Sequence, residues 1–357
     1  MFEQLPTEPG GFYQQVLSQS IAALKLHTYR DNFDAARFNH DGVDRSNFFD
    51  VQASTFNFDW FFRHHPRLFE AYGALDNEAS RRLYLQLIAF RLASHFCVKL
   101  PQPYLDDPQA AQAYAAAEHS VESTLDVSGM FGKLRHYDFS FKGERYVADC
   151  TGGLEYYLLR GQYFYRVDGA VVQPEPGDHV IDGGACTGDT ALVFSNVVKD
   201  GGRVYAFDPV AEHLQIMRHN IEGFPYRNVV AMPYGLSDRD VDAPPMVLDR
   251  YNPGFRAGQQ VVPLRRIDSL VEAGEIERID FLKLDVEGSE METLNGAVNS
   301  IARFRPKMAL SLYHKQNDLF EIVNHVRSTW PWYKLYLGHY TIHAEETVLY
   351  CDPGRAH

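Results

Sequence analysis

The chain changes its hydrophobic rhythm near the middle, from helical spacing to short apolar runs divided by turn residues. Over residues 77–99, Leu83, Leu87, Ile88, Phe90 and Leu92, with Arg91 among them, recur at helical spacing and predict a helix, which Pro101 and Pro103 end. The rest of the first hundred residues also reads as helical, except residues 31–60. That polar, aromatic-studded piece, opening with DNFDAARFNHDGVDRSNFFD, shows no clear period and is read as a long ordered loop or a substrate lid. Its acidic residues lack the spacing and closing Glu of a calcium loop. An alanine-rich run predicts a helix over 110–117, and residues 137–141, 146–147 and 163–167 then turn to β patterning and predict a hairpin bridge. Pro174, Pro176 and Gly177 mark its end.

From residue 177 the pattern alternates strand and helix in the doubly wound manner. Strands are predicted over 203–207, 228–232, 280–284 and 307–313, helices over 211–223 and 319–329, and a closing pair of strands over 333–337 and 346–351. A polar, proline-containing insertion runs through residue 257. The expected organisation is a mainly helical cap for substrate recognition (1–136), a β bridge (137–176) and an α/β nucleotide-binding domain (177–357).

The run HVIDGGACTGDT, residues 179–190, carries the candidate chemistry of that domain. Val180 and Ile181 are β-branched strand residues, and Asp182 follows at the strand's carboxyl end. Gly183, Gly184 and Gly188 permit positive φ and let a ligand lie against bare backbone, while Ala185, Cys186 and Thr187 complete the loop. A helix beginning near Asp189 and Thr190 turns its amino terminus toward the ligand. The spacing is neither G-x-G-x-x-G nor a phosphate loop with its lysine. Asp182 and Asp189 would repel a pyrophosphate but suit a cationic amino acid, such as the ammonium end of S-adenosylmethionine.

Further elements sit at the ends of later strands. Asp208, before Pro209, can accept both ribose hydroxyls; alone, an Asp-Pro after a strand is a turn. Gly235, Leu236, Ser237 and Asp238 stand where an adenine would be enclosed, or form a simple turn. In LDVEGSEME, Asp285 and Glu287 point at the same crevice as Asp182, whereas Ser289 and Glu292 read as a capping box. His314 ends the next strand, beside Asp285 if the two strands are neighbours in the sheet, and the pair could then deprotonate a hydroxyl as it attacks a methyl sulfonium; a lone His is otherwise a hydrogen-bonded scaffold residue. Lys283 lies in an apolar strand and needs a partner, expected to be Asp285 or Glu287, unless it contacts substrate. Asp285, Glu287 and Glu290 could hold magnesium, but no dense triad is visible and no metal is expected. His339 and His343 are four apart outside a helix and do not make a zinc site.

Composition narrows the field further. A length of 357 residues suggests two units, and 45% hydrophobic residues can fill their cores. The net charge of −13 argues against nucleic acid as a partner. Cys97, Cys150, Cys186 and Cys351 show neither zinc nor disulfide spacing. Neither a signal peptide nor a membrane span is read, so a cytoplasmic protein is expected.

Taken together, DGGACTGDT, YAFDP, YGLSD, FLKLDVEGSE and the late ETVLY resemble the FkbM family of S-adenosylmethionine-dependent methyltransferases, over about residues 177–351. The resemblance implies a Rossmann-like class I fold with a mostly parallel seven-stranded sheet. It makes residues 182–190 the methionine-end loop, Asp208 the ribose carboxylate, residues 235–238 the adenine wall and Asp285 a neighbour of the methyl group. One departure is Cys186, where the general class I loop has glycine. The resemblance further implies O-methylation of a sugar, glycan or natural-product hydroxyl, and a homodimer is a possible assembly. N-methylation of a small amine and a non-catalytic nucleoside-binding or assembly module are the alternatives.

Overall fold

The computed structural model describes residues 4–24, 51–94, 97–101, 120–125, 134–151, 154–242, 245–248, 255–341 and 344–354. The chain divides into two compact units, one of Met1–Gln102 with Lys315–Leu349 and one of Pro103–His314 with Tyr350–His357.

The first unit is mainly helical. Helices span Pro9–Leu24, Val51–Ala74, Glu78–Ala93 and Asp318–Thr329. Phe12 packs its ring against Phe61, Phe69 and Tyr72, so an aromatic cluster joins the first two helices. Asn77 caps the helix Glu78–Ala93 by accepting the Ser80 N–H at 2.9 Å, which sets the start that the apolar spacing predicted. Residues 51–60 correct the expectation of a loop over 31–60: they are the first turns of Val51–Ala74. Ser54, Trp60, Phe61, Leu68, Ala71 and Tyr72 are buried, a helical stripe that the polar neighbours conceal. The rest of that expected loop, residues 31–50, and the helix expected over 110–117 lie outside the described residues.

Seven strands share the main sheet: β1 (His179–Gly183), β2 (Arg203–Phe207), β3 (Val229–Met232), β4 (Phe281–Leu284), β5 (Lys307–Ser311), β6 (Lys334–His339) and β7 (Thr347–Asp352). Their order is β6-β7-β5-β4-β1-β2-β3, and β5, β4, β1, β2 and β3 pair in parallel. This is the expected mostly parallel α/β fold. Burial on both faces explains the near-continuous apolar runs: Val180, Ile181, Val204, Phe281, Leu282 and Leu284 are all fully buried. The order changes direction at β1 and β4, so the crevice outside their carboxyl ends is the natural ligand position.

The helices Asp189–Val198 and Ala211–Gly223 follow β1 and β2. Ahead of β1, Arg135–Phe141 and Glu144–Cys150 form an antiparallel hairpin, and Tyr165–Val167 pairs with Ala170–Val172 in a second one. Among the described residues no helix is long and apolar enough to cross a membrane.

Candidate active site

The loop after β1 is held from beneath. The N–H groups of Gly184 and Ala185 both donate to the Phe207 carbonyl, at 3.0 and 2.9 Å. Gly184 has φ +78°, and a Cβ there would stand 1.8 Å from the Asp285 carbonyl oxygen, so only glycine fits where β1 meets the chain leaving β4. Cys186 also adopts a positive φ, +46°, a conformation that glycine takes more readily than a residue with a Cβ. Burial, and after it the carboxylates of Asp189 and Asp208, push its thiol well up, so it stays protonated.

Asp182 is engaged by groups of its own chain. Its side chain is fully buried; Oδ2 accepts the Thr190 hydroxyl at 2.7 Å, and Oδ1 is ion-paired with Lys283 Nζ at 3.0 Å. Lys283 therefore corrects the expected pairing with Asp285 or Glu287. The parallel register sets Lys283 of β4 directly opposite Asp182 of β1, which places both side chains on the same face. Lys283 also donates to the Gly184 carbonyl at 2.9 Å, and its ammonium lies 5.4 Å from the Tyr163 ring centre. Burial opposes its charge, but Asp182 and Asp285 outweigh that and hold the ammonium above its ordinary range.

Asp189, first in its helix, is 5% exposed, and burial pushes its carboxyl up to about 6 against the hydrogen bond from its neighbour Thr190. In the same loop, the Thr187 hydroxyl is buried without a hydrogen-bond partner. A raised carboxylate and an orphaned hydroxyl fit a cationic, hydrogen-bonding amino-acid end of a ligand.

Asp208 follows β2 and binds the loop: Oδ2 accepts the Cys186 N–H at 3.1 Å, while Oδ1 accepts the Val210 N–H at 2.8 Å and lies 3.0 Å from His213 Nδ1. Pro209 sits between these contacts. Of residues 235–238, Gly235 and Leu236 pair with Leu264 and Arg265, and the Leu236 side chain reaches Gly183, where a Cβ would meet it at 3.1 Å. Ser237 is buried with its carbonyl against Gly296, and the Asp238 carboxylate is 3.9 Å from Arg239 Nε.

At the end of β4 the charged groups gather. Asp285 Oδ1 accepts the Tyr313 hydroxyl at 2.7 Å and Oδ2 the Tyr163 hydroxyl at 3.0 Å. His314 presents Nε2 to Asp285 Oδ1 at 3.5 Å and to Glu287 Oε2 at 3.6 Å, and its Nδ1 lies 2.8 Å from Glu290 Oε1. Burial would lower the imidazole, but Glu290, Asp285 and Glu287 prevail and push it up to about 9. Burial likewise works to raise Asp285, yet Lys283, His314 and the Tyr313 bond hold its carboxyl below the ordinary range. Glu287, with φ +53° and a side chain 65% exposed, has its carboxyl raised by desolvation, which His314 partly offsets.

The capping box expected of Ser289 and Glu292 is not made: Ser289 stands at the N-cap without a side-chain hydrogen bond. Glu290 instead turns back to accept the Val286 N–H at 2.9 Å. His339 Nδ1 lies 2.9 Å from the Thr347 hydroxyl, and His343 lies outside the described residues. Sequence reasoning missed Tyr163, Tyr313 and His213. Tyr313 had a signal, its place next to His314. Tyr163 had none, although it is buried at φ +73° and takes the Gln162 side-chain N–H on its hydroxyl at 3.0 Å.

Residues 182–331 match the family model described as the methyltransferase FkbM domain. Hexuronic acid methyltransferase AglP of Haloferax volcanii is 28% identical over 133 residues, which are 36% of this chain and 54% of that protein. A protein-L-isoaspartate O-methyltransferase of Aeropyrum pernix is 37% identical over 65 residues, 18% of this chain and 25% of that protein. Among solved structures, a methyltransferase FkbM from Methylobacillus flagellatus shares the fold at a TM-score of 0.53 and 19% identity, over 82% of this chain and 60% of that one. The chain thus spans a quarter and about half of the two curated relatives' lengths.

Proposed function

Residues 182–331 being a methyltransferase FkbM domain, with S-adenosylmethionine as its methyl donor, we propose that the whole chain methylates a hydroxyl group of a sugar or glycan. The observation that carries this reading is the gathering of Asp285, Glu287 and His314 after neighbouring parallel strands, beside the loop of residues 182–190. The sulfonium of the bound donor supplies an already electrophilic methyl, so the protein's task is to align an oxygen and remove its proton.

In this reading the loop and Asp189 receive the amino-acid end, Asp208 the ribose, and residues 235–238 the adenine. Asp182 acts through others: it positions Thr190 and neutralises Lys283 under the loop. Lys283 in turn holds Asp285 ionised. His314 carries its proton at neutral pH and therefore orients the carboxylates rather than accepting the hydroxyl's proton. Glu287, exposed and raised, takes that role; Asp285, lowered and bonded by two phenols, is the weaker base. A hexose or hexuronic acid is the favoured acceptor class, because a curated relative is named for a hexuronic acid.

The test is calorimetry with S-adenosylmethionine, followed by a methyl-transfer screen on free and glycan-linked hexoses and hexuronic acids. The expected result is binding that Asp208→Ala abolishes, and turnover that Glu287→Gln reduces about a hundredfold without loss of donor binding. Donor binding with turnover only on amines would overturn the O-methylation reading.

A further inference from the structure

We propose that Glu290 is a positioning residue for methyl transfer: one oxygen of its carboxylate fixes both the turn that carries Asp285 and Glu287 and the His314 ring that faces them. Glu290 is 1% exposed, and its Oε1 accepts the Val286 N–H at 2.9 Å and lies 2.8 Å from His314 Nδ1. Val286 stands between Asp285 and Glu287 in the chain, so the first contact holds the backbone of both carboxylates. That backbone is an unfavourable one, with φ +53° at Glu287 and +92° at Gly288. The second contact holds the ring, whose opposite edge presents Nε2 to Asp285 Oδ1 at 3.5 Å and to Glu287 Oε2 at 3.6 Å. The Tyr313 ring lies against the imidazole with 4.2 Å between centres.

Charge gives a second reason, independent of the turn. A buried carboxylate is costly unless a cation meets it, and Glu290 Oε2 is buried without a hydrogen-bond partner. The charge is therefore met through Oε1, where the 2.8 Å separation from Nδ1 is that of a charge-assisted bond. An imidazole protonated on both nitrogens then directs its Nε2–H at Asp285 and Glu287. A neutral ring with its proton on Nδ1 would turn a lone pair toward them instead. The groups that act on the ring are Glu290 on one edge, Asp285 and Glu287 on the other, and Lys283 through its hold on Asp285. The charge of Glu290 thus decides whether His314 attracts or repels the carboxylates of the site.

This role rests on the methyl-transfer reading; the Glu290–His314 pair does not. The experiment follows the His314 imidazole nitrogens by nuclear magnetic resonance in the labelled full chain, without donor or acceptor, the signal being assigned with His314→Gln. In the wild type the ring should lose its proton at about pH 9. Glu290→Gln keeps an oxygen for the Val286 N–H and for Nδ1 but removes the charge, and should lower that titration by about one unit or more. Initial rates should then show kcat falling at pH 8.5 by roughly threefold more than at pH 6.5, with donor binding retained. A purely structural role would lower kcat equally at both. Circular dichroism checks the fold of the variant, and the wild-type titration decides by itself if that fold is lost. A wild-type ring that titrates near the ordinary value of about 6.5 overturns the proposal. So does a folded Glu290→Gln protein that titrates like the wild type or loses kcat equally at both pH values. Absence of donor binding in calorimetry would instead sink the methyl-transfer reading, and the positioning role with it, while the titration still reports the pair.

Discussion

Asp189 is a buried carboxylate whose charged form the fold disfavours. Its folded carboxyl lies near 6, above an ordinary value of about 4, because burial disfavours the charged form. The native state therefore binds more protons than the unfolded chain between those values. Its contribution to stability is greatest below about pH 4 and declines as pH rises through about 6. Asp189→Asn should consequently gain on the wild type across that window, by up to about 3 kcal/mol, while keeping the acceptor that Thr190 uses. Urea unfolding at pH 4, 5, 6 and 7 measures it, and parallel profiles for the two proteins would sink the assignment. At this scale the sequence marked candidate residues but not what each one touches. DGGACTGDT placed Asp182 and Asp189 in one loop, yet one carboxylate is neutralised beneath it and the other is left raised. That difference arises from the neighbouring strand, which no local motif contains.

Among the elements, the pairing of β1 with β4 does most to build the site. Lys283 opposite Asp182 is a fully buried ion pair, its members 1% and 0% exposed. Such a pair adds little net stability over an apolar pair, but removing one partner strands the other. Lys283→Met should cost about 3 to 5 kcal/mol, and the double variant with Asp182→Asn should recover a large part of it. Denaturant midpoints of the two single variants and the double one decide this, and a Lys283→Met loss under about 1 kcal/mol would refute it. Element existence was legible: strand 203–207 and helix 211–223 stand where the apolar pattern placed them, and the other sheet strands differ from expectation by one or two residues at their ends. Residues 51–60 were not legible, since their buried positions, Ser54 and Trp60, stand among polar and aromatic neighbours without an apolar repeat. Lys283's partner was missed for a related reason: strand register is a property of two segments far apart in the chain.

For the whole molecule, the net charge of −13 bears on the proposed acceptor. An anionic hexuronate approaches a like-charged protein, so screening by salt should help it. Raising ionic strength from about 0.01 to 0.15 M should increase kcat/KM for a hexuronate and leave that for a neutral hexose nearly unchanged, as initial rates will show. Equal salt dependence for both acceptors would mean that a local positive surface governs the encounter. The chain's own pattern was enough for the α/β class and for setting Asp182 within, and Asp208, Asp285 and His314 just after, strands of the sheet. Each depends on periodicity, glycine placement or residue chemistry, which are local. Only the tertiary structure decided that Lys283 serves Asp182, that Tyr163 and Tyr313 hold Asp285, and that His314 sits among three carboxylates. Those facts depend on sheet register and on low-dielectric burial, which set both partners and protonation and arise only when distant segments close on one another.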